Sequence, residues 1–291
     1  MSIEKVAVLG GGLMGSGIAE SVARAGLPVI VRDVDAAAID GAQRRIHTSL
    51  GHAVERGKVS EADAAEIHGR IDYTDDLAAI AGADLVIEAV PENAELKANI
   101  LAQVAGIVPE HALLASNTSS IPIAQLAGGL PSPERVLGLH FFSPVPVMSL
   151  VEVVVALDTS EETVATAHEF AERIGKRSIV TKDRSGFIVN MLLVPYLMAA
   201  VRMYEEGFAS AEDIDEGMKL GCGHPMGPLT LADFIGLDVL YSVCDSLYEE
   251  FKRGEYAPPP LLKRMVASGR IGRKADRGFY EYGKAREAAR A

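Results

Sequence analysis

The run Lys5-Val6-Ala7-Val8-Leu9-Gly10-Gly11-Gly12-Leu13-Met14-Gly15 constrains this chain more than any other segment. A short apolar strand passes through Gly10-x-Gly12-x-x-Gly15 into a stretch that reads as a helix from Met14 to Ala25. At this spacing each glycine has its own physical reason. The first permits a tight turn, the second lets the backbone approach a pyrophosphate, and the third lets helix and strand pack closely. The helix start then offers unpaired N–H groups and about half a positive charge to phosphates. Such a pattern is common by itself. Here the next strand, LPVIVRD, ends at Asp33, 18 residues beyond Gly15. A carboxylate there accepts hydrogen bonds from adenosine ribose hydroxyls. Gly10, Gly12, Leu13, Met14, Gly15 and Asp33 are therefore expected to hold a dinucleotide. Asp33 favours NAD, because a 2′-phosphate beside a carboxylate costs on the order of a few kcal/mol in a partly screened site. Arg32 leaves NADP open, since it could swing toward such a phosphate.

Beyond this unit, short Val/Ile/Leu runs alternate with Ala/Glu-rich stretches to about residue 180. The strand-like runs are KVAVL, LPVIV, DLVIEAV, ALLAS, RVLGLHF, LVEVVV and RSIV. Several lack polar alternation, as strands covered on both faces do. Helical patterns lie between them, as from Glu92 to Ala105 and from Glu161 to Ile174. This order predicts a mostly parallel, doubly wound α/β sheet. About fifty residues separate Asp33 from the strand near Leu85, too many for a simple crossover. They read as mostly helical, with an inserted pair at 36–55 and 60–68. After Lys182-Asp183-Arg184-Ser185-Gly186 strands give way to helices. Two domains are expected: 1–184, with a helical insertion at about 36–70, and an all-α domain at 185–284. An Ala/Arg-rich tail follows Gly283.

Composition narrows the class. The 291 residues are 48% hydrophobic and 23% charged, which suits a globular enzyme and not a disordered chain. A formal net charge of −12 argues against a nucleic-acid or acidic-membrane binder. Cys222 and Cys244 sit in unlike contexts and suggest neither a disulfide framework nor a metal site, so a reducing cytoplasm is expected. The charged N-terminus runs straight into a strand, and no secretory leader is expected. The longest apolar run, Phe187 to Val201, would span about 22 Å as a helix, short of a ~30 Å hydrocarbon core. It also holds Asn190 and Pro195, and reads as a buried helix.

Four polar residues interrupt apolar context. Glu152 stands inside the strand Leu150 to Val155, where an unpaired carboxylate is costly and must find a partner. His140 ends the strand RVLGLHF. Ser119 lies in the cluster Ser116-Asn117-Thr118-Ser119-Ser120, and Asn190 in FIVNMLLVP. Singly, each has a bland reading: a core histidine, a structural ion pair, a helix cap, a core hydrogen bond. Together they point to a site, because His140 and Ser119 lie beyond the carboxyl ends of strands, where open α/β sheets bind ligands. A carboxylate beside a histidine orients the imidazole for proton transfer.

With these residues in view, the chain resembles the L-3-hydroxyacyl-CoA dehydrogenases, and among them the free-standing 3-hydroxybutyryl-CoA dehydrogenases, from about Lys5 to Tyr282. The segments that carry the resemblance are VAVLGGGLMGSGIA, SNTSSIPI, GLHFFSPVPVMSLVEVV, DRSGFIVNMLLVPYL, DIDEGMKLGCGHPMGPLTLADFIGLD and GFYEY. The resemblance implies a Rossmann-type domain with an all-α C-terminal substrate and dimerisation domain. It also implies reversible NAD-dependent oxidation of (3S)-3-hydroxyacyl-CoA in fatty-acid or butanoate metabolism, and a homodimer. His140 would be the base, oriented by Glu152, and Ser119 and Asn190 would hold the substrate. Glu92, Lys97 and Lys274 would join the glycine turn and Asp33 around NAD. Ser49 and Arg56, in a locally basic stretch with Arg44, Arg45 and Lys58, would contact the CoA moiety. With Asn190 on the second domain, the site would be a cleft that closes on substrate. Ser143 and Ser149 depart from the family's usual Asn and Lys; the shorter Ser143 offers one hydroxyl, so a nicotinamide or substrate contact would be lost or bridged by water. Two alternatives stand beside this reading: a relative acting on small polar hydroxy acids of the gulonate type, and a catalytically silent protein on the same scaffold.

Overall fold

A computed structural model describes residues 2–283; the tail beyond Gly283, including the expected domain end at 284, lies outside the described residues. The chain forms two compact units that divide between Arg184 and Ser185.

The first unit is one eight-stranded sheet covered by helices. Its strands are β1 (Val6–Leu9), β2 (Val29–Arg32), β3 (Ile71–Thr74), β4 (Leu85–Glu88), β5 (Leu113–Ser116), β6 (Val136–Phe141), β7 (Leu150–Val155) and β8 (Arg177–Lys182), in the order β3-β2-β1-β4-β5-β6-β7-β8. Every pairing is parallel except β6 with β7. The helices are α1 (Leu13–Arg24), α2 (Ala36–Glu55), α3 (Glu61–Gly69), α4 (Ala94–Ala105), α5 (Ile123–Ala127) and α6 (Glu161–Arg173). β1, β4 and β5 are buried along their whole length, which is why they read as unbroken apolar runs. The order reverses between β1 and β4, and the crevice beyond their carboxyl ends is where such sheets take ligands.

The helical pair α2–α3 lies where the sequence predicts it, but the interval is not wholly helical. β3 follows α3 and pairs with β2 at the sheet edge, and a short 3₁₀ turn, Leu77–Ile80, follows β3. β3 has only four residues, of which Ile71 alone is buried, so it lacks the apolar run that betrays the other strands.

The second unit is helical: α7 (Val189–Glu205), α8 (Ala211–Cys222), α9 (Pro228–Ile235), α10 (Leu237–Phe251) and α11 (Pro260–Ala267). Its core includes Leu197, Met198, Val201, Leu229, Leu240 and Leu247. Two buried carboxylates tie it together. Asp215 accepts the N–H groups of Leu229 and Thr230 at 2.7 and 2.9 Å, capping the start of α9. Asp233 accepts the N–H groups of Phe279 and Tyr280 at 2.9 and 3.0 Å and the Tyr282 hydroxyl at 2.9 Å. A side chain at Gly278 would collide with that carboxylate, which explains the glycine of GFYEY. Among the described residues no helix is long and apolar enough to cross a membrane.

Candidate active site

The site begins at the carboxyl end of β1. Gly10 has φ +92, a conformation that L side chains rarely adopt, and a Cβ there would press on Ala89 O at 2.8 Å. A Cβ on Gly15 would collide with the Gly10 carbonyl, so α1 sits directly against the turn. The first bond of α1 runs from Ser16 N to Gly12 O at 2.9 Å. The N–H groups of Leu13, Met14 and Gly15 precede it and have no intrahelical acceptor. Gly12, the N-cap, makes no side-chain cap bond, and a Cβ there would meet nothing within 4 Å. This open, donor-rich cradle fits a pyrophosphate. Asp33, just past β2, accepts Gly11 N through Oδ2 and Val34 N through Oδ1, both at 2.7 Å. Its remaining lone pairs suit ribose hydroxyls.

From the switch point a line of hydrogen bonds leads to the histidine. Lys97, on α4, is 1% exposed. Its Nζ donates to Glu88 Oε1 at 2.7 Å and Val90 O at 3.1 Å, and lies 3.2 Å from Glu92 Oε2. Glu88 is wholly buried, so this ammonium offsets a charge that would otherwise be uncompensated. Lys97 thus holds Glu92 from beneath. Glu92 Oε1 accepts the Thr118 hydroxyl at 2.5 Å and Ser119 N at 3.0 Å. Ser119 Oγ in turn lies 3.2 Å from His140 Nε2.

His140 and Glu152 face each other across the antiparallel β6–β7 pair, register partners in the ladder. Directly opposed side chains sit within contact reach, and Nδ1 meets Glu152 Oε2 at 2.7 Å. The carboxylate that interrupts the apolar strand therefore has its partner. A carboxylate only accepts, so Nδ1 carries the hydrogen and Nε2, on the Ser119 side, presents its lone pair. His140 is 4% exposed and Glu152 fully buried, which keeps the pair strong by excluding water. Phe142 packs edge-on against the imidazole with ring centroids 4.6 Å apart.

Burial pushes the Glu92 carboxyl up, but the Lys97 charge and the Thr118 and Ser119 donors outweigh it and hold the group below the ordinary glutamate value. A carboxyl lowered in the folded state adds stability above its unfolded pKa, and that stability is lost as pH falls through the folded pKa. Glu92→Gln is accordingly expected to flatten the fall of melting temperature between about pH 5 and 3. An acid limb as steep as the wild type's would contradict this.

Not all expected residues join this line. Ser49 is half-buried on α2 and Arg56 is exposed at its C-cap. Asn190, near the start of α7, and Lys274 belong to the second unit, where Lys274 Nζ pairs with Asp238 Oδ2 at 2.6 Å. Ser143 and Ser149 are both exposed on the loop between β6 and β7. Three contributors escape the sequence reading. Glu88 anchors Lys97 and accepts Ser116 Oγ at 2.6 Å. Asn117 Oδ1 accepts Phe141 N at 2.9 Å and fixes the end of β6. Asp183 accepts Ile123 N and Ala124 N, both at 2.7 Å, and pins the chain just after Ser119. Only Glu88 carried a usable signal, the same one as Glu152: a carboxylate breaking an apolar strand.

A dinucleotide cradle that opens beside a buried, carboxylate-oriented histidine is the architecture of nicotinamide-dependent oxidoreductases. Residues 5–184 match the 3-hydroxyacyl-CoA dehydrogenase NAD binding domain, and residues 186–282 match the C-terminal domain of the same family. The chain belongs to the 3-hydroxyacyl-CoA dehydrogenase family, and its first unit is the NAD-binding domain. It is 50% identical over 283 residues to a 3-hydroxybutyryl-CoA dehydrogenase of Mycobacterium tuberculosis, covering 97% of this chain and 99% of that one. A probable 3-hydroxybutyryl-CoA dehydrogenase of Bacillus subtilis is 43% identical, with 97% and 98% covered. Among solved structures, FadB2 of M. tuberculosis superposes with a TM-score of 0.96 at 49% identity, over 97% of this chain and 100% of that chain. The (S)-3-hydroxybutyryl-CoA dehydrogenase PaaH1 of Ralstonia eutropha gives 0.91 at 45% identity, over 97% and 100%.

Proposed function

We propose that this protein reversibly oxidises (3S)-3-hydroxyacyl-CoA, with 3-hydroxybutyryl-CoA as the short-chain substrate, to the 3-ketoacyl-CoA. The observation that carries this reading is the His140–Glu152 pair, joined at 2.7 Å and reached through Ser119 from the NAD cradle. Relatives that span nearly the whole chain and bear the 3-hydroxybutyryl-CoA dehydrogenase name support the substrate class.

His140 takes the hydroxyl proton on Nε2. Glu152 keeps Nδ1 protonated and stabilises the imidazolium that forms. Ser119 Oγ, at 3.2 Å from Nε2, holds the substrate oxygen in line with the base, and Asn190 holds the thioester end. Leu13, Met14 and Gly15 N–H groups and Asp33 hold the cofactor, with Glu92, set by Lys97, and Lys274 completing the site. NAD, when bound, supplies the hydride acceptor. Ser49 and Arg56 on the α2 side receive the CoA moiety. The second unit supplies substrate contacts and the face of a cytoplasmic homodimer; a monomeric sedimentation profile at micromolar concentration would contradict the dimer.

The reading is tested by comparing acetoacetyl-CoA with free acetoacetate as oxidants of NADH. Turnover of the thioester is expected to exceed that of the free acid by at least ~10²-fold in kcat/KM, because binding energy from the remote CoA moiety is used at the reacting carbon. Equal turnover, or activity confined to free hydroxy acids, would favour the gulonate-type alternative.

A further inference from the structure

The face that α2 turns to the glycine turn is built from small residues and one cation. Ala42 is fully buried, and a Cβ on Gly11 would press on Ala42 Cβ and Asp33 Oδ2. Less than one turn further on, Arg45 Nη1 donates to Gly11 O at 3.1 Å. The same carbonyl accepts Ser16 Oγ at 2.7 Å, while Gly11 N is held by Asp33 Oδ2 at 2.7 Å. Side chains on a helix lean toward its N-terminus, so the path of Arg45 runs over residue 41. A Cβ at Gly41 would lie 3.0 Å from Arg45 Nη1. Glycine is unfavourable inside a helix; here its missing side chain leaves open the space beside the guanidinium.

Among the described residues no carboxylate pairs with Arg45, so its charge is available to a ligand. Arg32, the cation that the sequence sets beside Asp33, is drawn elsewhere: its Nε donates to Asp75 O at 3.2 Å, beyond the end of β3. Asp33 and Arg45 thus bracket one residue, Gly11, with opposite charges, at the place where Asp33 would read the adenosine ribose.

We propose that Arg45 is a second reader of the adenosine ribose, a guanidinium that receives a 2′-phosphate where Asp33 alone would repel it. The NAD site then also admits the 2′-phosphorylated dinucleotide, with lower affinity. The chemistry matches: a guanidinium presents a planar fork of N–H donors suited to phosphate oxygens, and the Gly11 carbonyl uses only part of it. This inference rests on the NAD site described above.

Fluorescence titration of the full chain with NADH and, separately, NADPH tests it. The wild type should bind NADPH about 10- to 100-fold more weakly than NADH; in Arg45→Ala the NADPH Kd should rise at least ~10-fold and the NADH Kd less than ~3-fold. Arg45→Lys, which keeps charge but not the fork, should fall between the wild type and Arg45→Ala for NADPH. Equal losses for both dinucleotides in Arg45→Ala would make Arg45 a support of the glycine turn and overturn the proposal. Binding of NADH without any of NADPH by the wild type would overturn it too, while leaving the NAD site intact. Binding of neither would overturn the NAD site and the proposal together.

Discussion

His140→Gln is expected to lower turnover by ~10²–10⁴ while NADH still binds, because the variant would lose general-base catalysis and keep the cradle. The glutamine amide fills much the same space in a pocket where His140 is 4% exposed, so the fold is expected to persist. NADH affinity is the control. Ser119 links the imidazole to the Glu92 side of the cofactor site, with Oγ 3.2 Å from Nε2. Turnover measured under saturating NADH with acetoacetyl-CoA reads the proton-transfer step without the binding step. A folded variant with near-wild-type turnover would remove His140 from the chemistry.

Glu152→Gln is the second large effect. Glu152 is fully buried and meets Nδ1 at 2.7 Å. As a carboxylate it can only accept, so it selects the tautomer whose Nε2 is basic. A glutamine can donate its N–H to Nδ1, which selects the opposite tautomer with Nε2 already protonated, and it brings no charge to stabilise an imidazolium. Turnover should fall by ~10²–10⁴, the scale of general acid–base catalysis; amidating the histidine-orienting carboxylate of a serine-protease triad costs about 10⁴. A purely structural Glu152 would lower melting temperature and leave kcat unmoved, so the two readouts separate the roles.

Much of the first unit was legible because its central strands are covered on both faces and appear as apolar runs; the edge strand β8 is largely exposed, yet its Ile179-Val180 pair still marked it. β3 was not legible, since a four-residue edge strand with one buried side chain leaves no such trace. Glu152 announced that it needed a partner, but which partner depends on the β6–β7 register, and that is set by how the Phe142–Ser149 loop returns the chain. Asn117 and Asp183 were invisible for a different reason. Both sit in polar loop sequence, where an Asn or Asp is ordinary, and only the fold reveals that they fix the Phe141, Ile123 and Ala124 backbone. The glycine turn and Asp33 were readable because local spacing alone carries their geometry. Arg45 was visible only as one charge in a basic stretch; its approach to Gly11 depends on the tertiary packing of α2.

A double-mutant cycle tests most directly whether His140 and Glu152 act as one proton-handling unit. If Glu152 works through the imidazole, His140→Gln with Glu152→Gln should be no slower than His140→Gln alone, within about threefold, because groups acting as a unit are non-additive. Losses that multiply across the two substitutions would mean that Glu152 and His140 contribute independently, and would contradict the account.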